Sequence, residues 1–163
     1  MQEIVDVDTG QVAVKQGAFI LRANAIGSCI AVAAYDAKTK TAGMAHIMLP
    51  DKAPDKETFK TKYAYDSIEH LLDLMIQAGS KVADIEVCLI GAGNVLRKAD
   101  DTICQSNIES VTAILAAIRL PVRSSILGGT ERKSALLDAQ TGRVSYTQGD
   151  RPVTLLWRPE EGG

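Results

Sequence analysis

The stretch Ile30-Ala31-Val32-Ala33-Ala34-Tyr35, then Asp36-Ala37-Lys38-Thr39-Lys40, then Thr41-Ala42-Gly43-Met44-Ala45-His46-Ile47-Met48-Leu49 decides the fold class. Two short apolar runs rich in small residues flank a polar turn, and Pro50 stops the second run, which is the pattern of a β-hairpin. Upstream, Gln11 to Lys15 alternates through Val12 and Val14 and predicts an earlier strand. Downstream, Pro50 to Lys62 is polar, carries two prolines and reads as a mobile loop. Asp66 to Ala78 then shows helical spacing, with Ile68, Leu71, Leu72, Met75 and Ile76 on one stripe and Gly79 as a stop. Ile85 to Ile90 is a continuous apolar strand, and Asn107 to Ile118 predicts a second helix through Ile108, Val111, Ile114, Leu115 and Ile118. Pro121 to Leu127 is a further strand that Gly128-Gly129 breaks. Lys133 to Asp138 and Arg143 to Thr147 form a second hairpin around Ala139-Gln140-Thr141-Gly142, and Val153 to Trp157 adds an edge strand. Hairpins outnumber βαβ units, so the expected class is α+β: a layered sandwich of mostly antiparallel sheet with two main helices.

The whole chain, 163 residues and 17.4 kDa, reads as one domain with no internal repeat and no low-complexity linker. At this length roughly two-thirds of the unfolded surface is buried, enough for a core without disulfide or metal. Hydrophobic residues at 46% and charged ones at 23% argue against disorder, and no apolar run approaches the length of a membrane-spanning helix. The start, Met1 to Gly10, carries acids where a signal peptide carries Lys or Arg, so a cytoplasmic location without membrane insertion is expected. Eighteen basic against twenty acidic residues, a net charge of −2 and no basic block leave no footprint for nucleic acid. With aromatics at 4%, stacking platforms for bases or sugars are also unexpected. Three cysteines, Cys29, Cys88 and Cys104, make an odd number without CxxC spacing, which is neither a disulfide framework nor a zinc signature.

The question is then whether one thiol is reactive. In an antiparallel hairpin the residue numbers of facing pairs have a constant sum. If Tyr35 faces Lys40 across a four-residue loop, Cys29 faces His46, with Cβ atoms about 4.5–5.5 Å apart. An imidazole at that distance accepts the thiol proton and leaves the nucleophilic thiolate. A loop of odd length would turn one of the two side chains to the other face. Before the cysteine, Gly27 permits a tight turn, and the N–H groups of Ser28 and Cys29 suit a developing oxyanion. Ala31 and Ala33, on the Cys29 face, leave room for a substrate side chain. The bland alternative is a buried cysteine packing in a strand with His46 a satisfied core histidine, since free cysteine is commonly a small core hydrophobe.

The other candidates are weaker. His70 falls on the polar face of the first helix with Asp66, Asp73 and Gln77. Cys88 lies inside an apolar strand. Cys104 precedes the second helix, whose dipole would lower its pKa, but no histidine is near in sequence. Gly91-Ala92-Gly93 has the GxG of a dinucleotide loop without its third glycine or downstream acid. A zinc site from Cys29, His46 and Cys88 lacks a fourth ligand, so no metal and no cofactor are expected.

Gly27-Ser28-Cys29-Ile30-Ala31-Val32 followed by Gly43-Met44-Ala45-His46-Ile47-Met48-Leu49-Pro50 resembles the chemoreceptor glutamine deamidases, the CheD family. The resemblance runs from about Gly10 to Thr147, through Lys62-Tyr63-Ala64, Gly91-Ala92-Gly93, Asn107, Gly128-Gly129 and Thr141-Gly142-Arg143-Val144. It implies Cys29 as nucleophile, His46 as its histidine, and conversion of receptor glutamines to glutamates with release of ammonia. Hydrolysis of glutamyl methyl esters by some members comes with it. So do a sandwich fold shared with toxin deamidases, the cytoplasmic helices of chemoreceptors as substrate, and a CheC-type phosphatase as partner. Three departures stand out. The family threonine six residues before the cysteine is Ala23; Asn24 beside it is a substitute in principle, though neighbouring strand residues face opposite ways. Ile103-Cys104-Gln105-Ser106-Asn107 lacks the glycine and arginine of the family's helix start, and Ile126-Leu127-Gly128-Gly129 lacks its acid. These departures keep a second reading open, a catalytically weakened binding module that regulates a phosphatase or receptors without turnover.

Overall fold

The computed structural model describes residues 1–160, in which ten strands and two long helices form three layers. The first sheet contains β1 (Glu3–Asp6), β3 (Phe19–Ile26), β8 (Lys133–Asp138), β9 (Val144–Gln148) and β10 (Thr154–Trp157), in the order β1-β3-β8-β9-β10. The second contains β2 (Val12–Gln16), β4 (Ile30–Asp36), β5 (Thr41–Ile47), β6 (Ile85–Gly91) and β7 (Val122–Leu127), in the order β2-β5-β4-β6-β7. Helices α1 (Ala64–Gln77) and α2 (Ile103–Ala117) cover the outer face of the second sheet. Pairing is antiparallel except for β1 with β3 and β6 with β7, the latter joined by the α2 crossover. The class is α+β, as the run of hairpins predicts.

The central hairpin is buried on both faces: every residue of β4 and of β5 is buried. Alternation sorts its side chains between two cores. Ile30, Val32, Ala34, Ala45 and Ile47 join Leu71 and Met75 of α1 on the helix side. Ala31, Ala33, Tyr35, Ala42 and Met44 join Leu21 and Ala23 of β3 and Leu137 of β8 between the sheets. Gly43 is where α1 comes closest, since a Cβ there would lie 2.6 Å from Leu71 Cδ1.

The hairpin register differs from the expected one by two positions. Asp36 pairs with Thr41, Tyr35 with Ala42 and Ala31 with His46, so the four-residue loop is Ala37–Lys40 rather than Asp36–Thr39. The cause is Asp36. Its buried carboxylate accepts the Lys38 N–H at 2.9 Å and the Thr39 hydroxyl at 2.8 Å, so it closes the strand from inside. Lys40 supplies the left-handed turn residue at φ 52°.

Other elements match the sequence pattern with shifted ends. Helix α2 begins a turn before Asn107 and so includes Cys104, and Ile76 at the end of α1 is exposed rather than packed. The 50–62 segment is irregular but tied down. Ala53 is buried and donates its N–H to Asp66, and Thr61 donates its hydroxyl to the Gly10 carbonyl. Strands β1 and β3 have no counterpart in the sequence reading. Among the described residues no helix is long and apolar enough to cross a membrane.

Candidate active site

Strand β3 ends in a bulge between Ala23 and Ile26, with Ala25 at φ 51°, and the chain crosses from one sheet to the other through Gly27 and Ser28. Cys29 follows at the mouth of β4. Its position is held through backbone carbonyls: Gly27 accepts the Gly93 N–H at 2.8 Å, and Cys29 accepts the Ala92 N–H at 2.7 Å. Gly91, at φ 135°, is required for this close approach, because a Cβ would collide with the Cys29 carbonyl oxygen. The Gly91-Ala92-Gly93 loop is thus the backing of Cys29.

His46 is nearly enclosed, at 3% exposure. Residues Val7 to Gln11 wrap over it: the His46 N–H donates to the Gln11 carbonyl at 3.0 Å, and the Gly10 N–H donates to the His46 carbonyl at 2.8 Å. The ring lies 2.9 Å from the Val7 carbonyl through Nδ1. A carbonyl oxygen only accepts, so Nδ1 carries the hydrogen and Nε2 is the basic nitrogen.

The two-position register shift preserves facing, since strand side chains repeat with period two. His46 is directly opposite Ala31, and Cys29 is its diagonal neighbour on the same inter-sheet face. Diagonal pairs lie about 7–8 Å apart, within reach of a long or aromatic side chain. Cys29 borders a cleft of about 330 Å³ together with Gly27, Ser28, Asn94, Val95 and Leu96. Ala23 points into the inter-sheet core, and Asn24 is exposed, so Asn24 does not join the site.

Burial pushes the Cys29 thiol pKa up, while the Thr9 hydroxyl and the Cys29 N–H pull the other way. Burial also lowers the His46 pKa, against the Val7 carbonyl and the Asp8 charge. Both shifts favour a neutral thiol beside a neutral imidazole at rest, rather than a standing thiolate. Charge then appears only when the proton moves.

Sequence reasoning missed Val7, whose contribution is a backbone atom without a residue signature, and Thr9, whose approach depends on β1 reaching the first sheet. It also missed Lys133, which is 1% exposed and donates to the Gly128 carbonyl behind the cleft; burial lowers its pKa. Cys88 is core, its pKa pushed up by burial to about 12. Cys104 is pushed up to about 11, because burial and Asp101 outweigh the Lys133 charge and the Cys104 N–H. His70 is exposed on α1. Among the described residues no group of three His, Cys, Asp or Glu is placed to hold a metal ion.

A family model described as CheD chemotactic sensory transduction matches residues 48–148. The chain belongs to the CheD family. A protein of Chlorobium luteolum named probable chemoreceptor glutamine deamidase CheD is 39% identical over 150 residues, covering 91% of this chain and 75% of that protein. The chemoreceptor glutamine deamidase CheD of Halalkalibacterium halodurans is 30% identical over 162 residues, covering 94% of this chain and 100% of its own length. The Bacillus subtilis protein of the same name is 28% identical over 166 residues, covering 93% and 98%. The matched family region begins two residues after His46. The alignments to the relatives are long enough to run through both Cys29 and His46 of this CheD-family chain.

Proposed function

We propose that this CheD-family chain is a protein-glutamine deamidase that converts glutamine side chains of chemotaxis receptors to glutamate, with Cys29 as nucleophile and His46 as general base and acid. The observation that carries the reading is the hydrogen bond from His46 Nδ1 to the Val7 carbonyl. It leaves Nε2 as the proton acceptor on the face that also holds Cys29, whatever residue stands at position 23.

In this reading the Cys29 sulfur attacks the side-chain carbonyl carbon while its proton passes to His46 Nε2. The resulting oxyanion is held by the N–H groups of Ser28 and Cys29, which donate to no backbone carbonyl among the described residues. His46, now a cation steadied by the Val7 carbonyl, gives its proton to the departing amine. Ammonia leaves and a thioester forms on Cys29. His46 then takes a proton from water, hydroxide adds to the thioester, and glutamate departs as the Cys29 thiol is restored. General acid–base help of this kind is worth about 10²–10⁴-fold.

The reading places the protein in the cytoplasm, where receptor helices are reachable, and carries a CheC-type phosphatase as a further partner. The test is ammonia release from receptor cytoplasmic fragments. Wild-type protein releases it, and Cys29→Ala falls to the background rate. Release at an unchanged rate from Cys29→Ala overturns the assignment. No release from wild type, with receptor binding retained, favours the binding-module reading that Ala23 keeps open.

A further inference from the structure

Asn107 sits inside α2 with no exposure, yet its side chain is polar. Its amide nitrogen donates to two carbonyls at once, Ser28 at 2.9 Å and Met48 at 3.2 Å. Those carbonyls flank the two residues of the candidate pair: Ser28 precedes Cys29, and Met48 follows His46 by two residues. The assignment of the amide is unambiguous, because the oxygen cannot face two acceptors. Asn107 Oδ1 finds no hydrogen-bond partner among the described residues. A buried polar atom without a partner is costly, and no apolar residue of the same size would carry that cost. The two donations are what an asparagine offers at this position that a leucine does not.

A trans peptide unit is planar, with its C=O and N–H pointing opposite ways. Aiming the Ser28 carbonyl at Asn107 therefore turns the Cys29 N–H away from α2, toward the side where the Cys29 thiol lies. The Cys29 side chain packs on the inter-sheet face, opposite the face that α2 covers, which agrees with that direction. We infer that Asn107 is a positioning residue that holds the Ser28–Cys29 peptide with its N–H aimed at the oxyanion of the reaction, and that ties the Cys29 segment to the His46 strand. This rests on the deamidase reading for its physiological substrate, but its geometry concerns any acyl transfer to Cys29.

Two reagents separate this role from general support of the fold. Acylation of Cys29 by p-nitrophenyl acetate passes through an oxyanion, whereas alkylation by iodoacetamide is a displacement that forms none. In Asn107→Ala, the nitrophenolate burst slows by about 10²–10³-fold, the range for losing one oxyanion donor. Alkylation of Cys29, read by mass spectrometry of its peptide, stays within about twofold and keeps its pH profile. Asn107→Ser retains a hydroxyl donor and recovers part of the acylation rate; where the alanine protein does not fold, the acylation-to-alkylation ratio of folded Asn107→Ser against wild type reads the same quantity. Equal falls in both reactions, or no fall in either, overturn the assignment. Ammonia release from receptor fragments is the separate arm. No release by wild type with acylation still dependent on Asn107 defeats the deamidase reading alone. Release unchanged in Asn107→Ala defeats the positioning role alone.

Discussion

The two faces of the central sheet are made by the same three strands and do different work. On the helix face, Ile30, Val32, Ile47, Val87 and Leu89 are large aliphatic side chains that meet Ile68, Leu71 and Met75 of α1 and Val111 and Leu115 of α2. On the inter-sheet face the same strands carry Ala31, Ala33, Ala42 and Cys88 beside the larger Tyr35, Met44 and Ile90, opposed by Ala23 and Ala135 of the first sheet. Ala31, directly opposite, leaves room for the His46 ring between the sheets. The helix face maximises apolar burial, at about 25 cal/mol per Å² removed from water. The inter-sheet face gives up some of that burial and holds the enclosed His46 ring near the part-buried Cys29 thiol at the edge of the cleft. The comparison teaches that stability and chemistry are assigned to alternate residues of one strand.

Substitution on each face sharpens this division. The largest effect is expected for His46→Ala on the inter-sheet face, with ammonia release falling about 10²–10⁴-fold in protein that remains folded by circular dichroism. Leu71→Ala on the helix face is expected to cost about 2–5 kcal/mol in denaturant unfolding, with turnover per folded molecule unchanged. A fall in turnover comparable to that of His46→Ala would break the division.

The ionisation of the pair gives a third comparison. Because burial raises the Cys29 pKa and lowers that of His46, alkylation of Cys29 by iodoacetamide should rise only above the ordinary thiol range of about 8.5. The acid limb of deamidation should lie below the ordinary histidine value of about 6.5, since His46 remains an unprotonated base further into acid. Rapid alkylation at pH 6–7 that disappears in His46→Ala would instead show a standing thiolate–imidazolium pair. The smallest effect is expected for Ala23→Thr, which places a hydroxyl six residues before Cys29. Val7 already orients His46, so deamidation should change by less than about tenfold. Overpacking a fully buried site should cost about 1–3 kcal/mol, read in the same unfolding assay.

What the sequence determined by itself is everything that depends on local period. The helical stripe of α1, the apolar run of β6, the two hairpins and hence the α+β class follow from spacing, because each element buries a face its own residues define. Cys29 and His46 were legible as candidates because strand alternation survives a shift of two residues, so the wrong register still put both on one face. Tertiary structure decided the rest. Strand β1 is four residues bounded by acids, and β3 mixes Arg22 and Asn24 with small Leu21-to-Ala23 alternation, so neither announces itself without its partner strands. The register was set by a buried carboxylate satisfying the turn, and Asp36 looks from sequence like one more polar turn residue. The orientation of His46 comes from the Val7 carbonyl, and that of the Ser28–Cys29 peptide from Asn107. Every residue carries a backbone carbonyl, so only the folded arrangement says which ones are aimed at a ring or an amide. That is the physical limit of the sequence: side-chain types identify which groups are able to react, and long-range backbone contacts decide where they point.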